Sequence, residues 1–383
     1  VRSFGCYGRG FVLLSALLCE SACNQPAADP AKTAASGDGK YDREKVLNLA
    51  SWADYIAPDT APNFQRETGI KINYETYDSN EVLESKLMTG HTNYDVVIPT
   101  AAFFERQRKA GVYRKLDKSA LPNLVNADPE VMRLMAREDP GNLYAVPYMY
   151  SITGLGYNID KLHAKLGAEP PDGWGVVFDP AKAAKLKDCG IAIVDSPVDV
   201  FDAVLFYLGR DPGRFDPADL MAASEVLRKI RPFVLYIDAT QHISDLANGS
   251  ICVSLSWSGD VGQSRHRAIE SNTGANVAFF VPREGSLITL DMMAIPADAP
   301  HPRNAALWLN YLLRPEVIAG ITNFIHYPNG NSASLPLVAA DIQNDRSIYP
   351  DDTTRKRLVS ERTGPPDYVR LVTREWTRFR TGY

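Results

Sequence analysis

The sequence predicts an α/β protein of two domains, with mixed, mainly parallel sheets and helices on both faces. Three observations carry that reading. The chain has 383 residues, a length that two domains fit best. From Glu44 onward, short apolar strands alternate with helical stretches, the pattern of sheets covered by helices. Two extended segments rich in β-branched and aromatic residues, Ala145–Asn158 (AVPYMYSITGLGYN) and 276–285 (NVAFFVPREG), suit strands that leave one sheet for the other.

The elements follow in chain order. Arg2 and Arg9 precede an apolar run over 11–18, then small residues and cysteines. This is a signal peptide, because a spanning helix needs about 20 apolar residues. Val1 is read as a non-standard start. Cleavage before Cys23 leaves Ser21 and Ala22 behind and exposes Cys23 for a lipid, although Glu20 stands where such signals carry an aliphatic residue. A soluble protein cut nearby is the alternative. Residues 24–40, rich in Ala, Pro, Gly and Ser, read as a tether. Residues 46–51 read as a strand, 58–68 as a helix with Gly69 beyond its end, and KINYETY as the next strand. Asp78 with Glu81 forms a capping box for a helix ending at Gly90, and 94–98 is a third strand. Strands resume at 191–194 and 251–256, with a helix over 200–208 between them.

The resulting division is 1–22 signal peptide, 23–43 tether, 44–149 first part of lobe 1 and 150–276 first part of lobe 2. A return segment, 277–314, then belongs to lobe 1, and 315–383 to lobe 2.

Composition excludes some functions. A net charge of -5 with scattered positive residues leaves no basic face for phosphates, so nucleic acid is not expected as a partner. The six histidines form no HExxH pair, and GxSxG, Walker and CxxC motifs are absent, so neither metal nor cofactor is expected. Gly154 and Gly156 match two positions of a dinucleotide fingerprint, but its third glycine is missing, which favours a strand or turn role. Of five cysteines, only Cys189 and Cys252 lie beyond the leader. Each adjoins an apolar strand. An oxidising compartment permits a disulfide between them, two buried thiols being the alternative.

Ligands of open α/β sheets bind beyond the carboxyl ends of the strands. There the sequence places Trp52, Asp54 and Tyr55 (SWADY), Thr100 and Phe103 (PTAAFF), Asp195 and Asp199 (DSPVD), and Trp257 and Asp260 (WSGD). Asp195, just before Ser196 and Pro197, reads as a helix cap and is set aside. Carboxylates and aromatic rings recur at these junctions, and lysine and arginine do not. Such a cleft suits an organic cation, held by charge-assisted hydrogen bonds and ring faces.

With these residues in view, the chain resembles the periplasmic polyamine-binding proteins of bacterial ABC transporters, and within them the putrescine-binding branch. The similarity runs from about residue 45 to about 377. It rests on SWADYIAPDTAPNFQRETGIK, DSNEVLESKLMTG, YDVVIPTAAFFERQ, NGSICVSLSWSGDV and NYLLRPEV. It implies a two-lobed, hinged, type II-like binding protein without enzymatic activity, a monomer in the periplasm, anchored by a lipid if Cys23 carries one. Its ligand would be putrescine, with spermidine, agmatine or cadaverine as alternatives, and its partner an inner-membrane ABC permease. Position by position, it implies a ligand shell of Trp52, Asp54, Tyr55, Thr100, Asp199, Trp257, Asp260, Asp291 and Tyr327, and a disulfide between Cys189 and Cys252. Three positions depart from the family pattern. Asp199 replaces a glutamate, Thr289 an aromatic and Ala53 a small hydroxyl residue. An exported enzyme acting on a cationic molecule and a polyamine-sensing lipoprotein are the competing functions.

Overall fold

In the computed structural model, which describes residues 41–169, 171–362 and 364–382, β1 (Val46–Trp52) lies in parallel between β2 (Lys71–Tyr77) and β3 (Val96–Val97). The signal segment, Cys23 and the tether to residue 40 fall outside the described residues. Side chains alternate across a strand, so β1 sends Leu47 and Leu49 into one core and Ala50 into another on the opposite face. The remaining strands are β4 (Ala145–Asn158), β5 (Ile191–Val194), β6 (Tyr236–Asp238), β7 (Val253–Trp257), β8 (Val277–Phe280), β9 (Ser286–Ala294) and β10 (Leu358–Ser360). Their order is β2-β1-β3-β9-β4-β7-β5-β6, with β8 on β4 and β10 on β9.

β4 joins the two halves. Its first part pairs antiparallel with β9, from Ala145↔Ala294 to Ile152↔Ile288, and its second pairs with β7 and β8. The register shifts between Pro147 and Tyr150, where a proline that cannot donate to the ladder interrupts it. The passage expected at Ala145–Asn158 is therefore present. The one expected at 276–285 is displaced: β8 stays on the second sheet through Leu155↔Phe280, and β9 makes the return. Gly156 has a packing role, since a Cβ there would lie 2.4 Å from Val261 Cγ2 on the helix Ser258–Glu270.

Local chemistry explains where elements differ from expectation. β3 is two residues long because the Ile98 carbonyl accepts Trp52 Nε1–H (2.9 Å) and Tyr77 Oη–H (2.6 Å) instead of a ladder bond. Ser79, not Asp78, caps the helix Asn80–Thr89, its Oγ accepting the Val82 N–H. The helix Thr60–Thr68 starts two residues later than the proline signal indicated and ends at Gly69, in the left-handed region (φ 70°).

Each sheet is covered on both faces. In the second half, Ile191 and Ile193 face a core with Phe201, Leu255 and Trp376, and Ala192 faces Leu246 and Val261. The helix Pro366–Thr381 packs Tyr368, Val372, Trp376 and Phe379 into the first of these. The helix Pro315–Ile325, expected with lobe 2, instead packs Ile318, Ile321 and Ile325 beside Leu47 and Trp308 of lobe 1. Its apolar periodicity specifies a buried stripe, not which sheet receives it. Cys189 and Cys252, at the entries to the neighbouring strands β5 and β7, are disulfide-bonded with a Cα–Cα distance of 5.3 Å. No helix among the described residues is long and apolar enough to cross a membrane.

Candidate ligand site between the lobes

The carboxyl ends of β1, β3, β5 and β7 converge on one cavity, and all nine sequence-derived positions line it: Trp52, Asp54, Tyr55, Thr100, Asp199, Trp257, Asp260, Asp291 and Tyr327. Its volume is about 100 Å³, room for roughly seven to ten water-sized groups at 10–15 Å³ each. The lining carries eight acids, Asp54, Asp78, Glu81, Asp195, Asp199, Asp260, Asp291 and Glu361, and among the described residues no lysine, arginine or histidine.

β9 and the junction after β3 supply one wall. Thr100 forms an isolated antiparallel bridge to Asp291. Tyr55 Oη donates to Asp291 Oδ2 (2.5 Å), leaving Asp291 Oδ1 buried without a hydrogen-bond partner, as are Thr100 Oγ1 and Thr289 Oγ1. Burial pushes the Asp291 carboxyl from 3.8 up to about 7; the Tyr55 hydrogen bond opposes this and nearby Asp199 adds to it. Desolvation thus dominates mutual repulsion among the acids. Tyr55 itself is raised by burial and by Asp291, so it remains a donor. Its ring meets Tyr327 edge-on at 4.9 Å, and Trp52 meets Tyr77 at 4.8 Å.

The second lobe supplies the opposite wall. Asp199 and Asp260 each sit in the first turn of a helix, Pro197–Tyr207 and Ser258–Glu270, where the positive end of the helix dipole favours a carboxylate. Asp199 accepts from Thr153 Oγ1 and from Ser196 Oγ (2.6 Å), and burial raises its pKa. Asp260 Oδ1 accepts from Tyr327 Oη (2.7 Å), and its Oδ2 lies 3.0 Å from His242 Nε2, itself 2.6 Å from Ser256 Oγ. Gly259 lets the lobes meet there: a Cβ would stand 2.0 Å from Tyr327 Cδ2.

Three features escaped the sequence reading. Asp54 is exposed and lies 3.2 Å from Arg267 Nη2, so a cation reaches a junction that looked purely acidic. Asp195 does not cap its helix; it accepts Trp376 Nε1–H (3.0 Å), pairs with Arg380 (3.0 Å) and lines the cavity. Glu361, directly after β10, is a buried lining acid. It too follows the carboxyl end of a strand, so the strand-end rule could have found it had the short LVS triplet been recognised as a strand.

A two-lobed α/β fold with one polar, aromatic cleft at the facing strand ends defines a solute-binding protein. The chain belongs to the bacterial extracellular solute-binding proteins, whose family pattern matches residues 60–348. It is 47% identical over 341 residues to the putrescine-binding periplasmic protein PotF of Escherichia coli, covering 88% of this chain and 92% of that one. To the putrescine-binding periplasmic protein SpuD of Pseudomonas aeruginosa it is 46% identical over 339 residues, covering 88% and 92%. Among solved structures, the spermidine/putrescine ABC transporter substrate-binding protein PotD of Streptococcus pneumoniae superposes with a TM-score of 0.72 at 26% identity, over 88% of this chain and 99% of that one. All three bear the names of binding proteins, and this chain, by its family, is a solute-binding protein rather than an enzyme.

Proposed function

We propose that this protein captures a polyamine, putrescine foremost, in the cleft between its lobes and delivers it to an inner-membrane ABC permease. It would act as a periplasmic monomer held near the membrane by a lipid on Cys23. The nine lining positions would be its ligand shell, and the lobe assignment would follow the cores, with 315–325 in lobe 1. The observation that carries this reading is the lining: eight acids and no basic side chain among the described residues, around tryptophan and tyrosine rings. Ammonium groups would take the carboxylates, and the methylenes between them would lie on Trp52 or Trp257. The names of the relatives point the same way.

Calorimetric titration with putrescine tests the proposal. A dissociation constant near 1 μM, about -8 kcal/mol, is expected, with a change in intrinsic fluorescence from the two cleft tryptophans. No binding of putrescine, or equal binding of a neutral diol, overturns it.

Affinity is expected to fall with acidity. Without ligand, Asp291 titrates near 7, and an ammonium group requires it ionised. Each pH unit below about 7 should therefore cost up to about tenfold in affinity. The unbound protein should show the opposite trend. Between about pH 4 and 7 the native carboxyl holds a proton that the unfolded one has lost, so unliganded stability falls as pH rises through that window. Melting curves with and without putrescine from pH 5 to 8 should show a ligand-induced increment that grows with pH. An increment independent of pH would mean that Asp291 does not face the ammonium.

A further inference from the structure

We propose that His242, which does not line the cavity, is a positioning residue that sets affinity by holding the Asp260 carboxylate toward the bound ammonium. This deepens the polyamine reading and rests on it. Strand β7 carries serines at alternating positions, Ser254 and Ser256, both fully buried, on the face opposite Val253 and Leu255. A buried hydroxyl needs a partner, and Ser256 Oγ finds one 2.6 Å away in His242 Nε2. The helix Gln241–Ala247 delivers that ring. Its start is tied down by Asp238 Oδ1, which accepts the Thr240 N–H (2.9 Å) and the Gln241 N–H (2.7 Å).

The same Nε2 lies 3.0 Å from Asp260 Oδ2, and the imidazole is fully buried. An ionised carboxylate only accepts, so the ring proton that serves Asp260 sits on Nε2, where Ser256 Oγ shares it. A second proton, on Nδ1, would find no acceptor: among the described residues that atom is buried without a hydrogen-bond partner. His242 therefore orients Asp260 through one uncharged N–H, and the carboxylate keeps its full charge for the ligand. Asp54 shows the contrast, since its partner Arg267 brings an opposite charge. The two contacts of the Asp260 carboxylate also differ in origin. Tyr327, which donates to Oδ1 (2.7 Å), packs in the core of the first lobe, whereas His242 and Ser256 belong to the second lobe with Asp260 itself. The His242 contact is internal to that lobe, so it holds the carboxylate before the first lobe contributes anything. A binding group fixed in advance loses less freedom when the ligand arrives.

Calorimetric titration of putrescine into wild type, His242→Leu, His242→Gln, Asp260→Asn and the double variant His242→Leu/Asp260→Asn decides the matter. His242→Leu removes the donor and should weaken binding about tenfold, in line with the coupling between members of one hydrogen-bond network. His242→Gln supplies an amide N–H in place of Nε2–H and should recover most of that loss. In the Asp260→Asn background His242→Leu should cost less than about threefold, because the group it acts through has already lost its charge. Ser256→Ala should weaken binding less, in the same direction, which keeps the test available if His242→Leu folds poorly. Melting curves of the unliganded variants establish which are folded. Wild-type affinity in His242→Leu, or an equal loss in both backgrounds, overturns the positioning role and leaves the polyamine reading standing. A wild type that binds no putrescine removes both.

Discussion

Replacing Cys189 and Cys252 together by serine is expected to lower the unfolding free energy by about 4 kcal/mol while leaving ligand affinity close to wild type. The magnitude follows from the chain-entropy estimate for a bridge spanning 63 residues. The separation of the two effects follows from topology. Both cysteines precede their strands, β5 at Ile191 and β7 at Val253, so the bridge clamps the amino-terminal edge of the second sheet. The ligand cavity lies at the opposite, carboxyl-terminal edge, beside Asp199 and Trp257. Denaturant titration of wild type and double mutant should shift the midpoint strongly, and calorimetry at a temperature where both are folded should give similar dissociation constants. A stability loss below about 1 kcal/mol would mean that the β5–β7 pairing already holds the sheet without the bridge.

Asp260→Asn is expected to weaken putrescine binding by roughly 2 to 4 kcal/mol, about 30- to 700-fold, the cost of truncating one partner of a buried charge pair. Asp260 is 6% exposed and joins residues from both lobes: Tyr327 packs in the core with Leu47, and His242 lies on the helix Gln241–Ala247 of the second lobe. Asparagine keeps the size and one acceptor for Tyr327, so the fold should persist while the cleft loses a negative charge. A melting temperature near wild type with a large affinity loss is the expected pair of results. Putrescine binding at wild-type strength would show that the ammonium groups do not approach this wall.

Much of the site was legible because an α/β chain sends successive strand ends to one edge of the sheet, so reading the residues after each apolar run finds lining positions without knowledge of the fold. That rule alone gave Trp52, Thr100, Asp199, Trp257 and Asp260, all of which line the cavity. Asp291 and Tyr327 came only from the resemblance. Asp291 lies inside β9, and Tyr327 follows a helix whose packing partner no local pattern identifies.

The sequence by itself determined β1 to β5, β7 and β8, the helices Thr60–Thr68, Asn80–Thr89 and Pro197–Tyr207 to within a few residues, and the disulfide-permitting cysteine pair, because periodicity, caps and strand propensity act over a few neighbouring residues; β6, β9 and β10 were not found this way. Tertiary structure decided what depends on distant partners: the attachment of the helix Pro315–Ile325 to lobe 1, the pairing of Asp54 with Arg267 across 213 residues, and the placement of Glu361 beside Thr289. It also chose between adjacent candidates, capping with Ser79 rather than Asp78 and turning Asp195 toward Trp376 and Arg380. A short polar side chain has several hydrogen-bond options of similar energy, and the backbone path fixed by the packed cores selects among them.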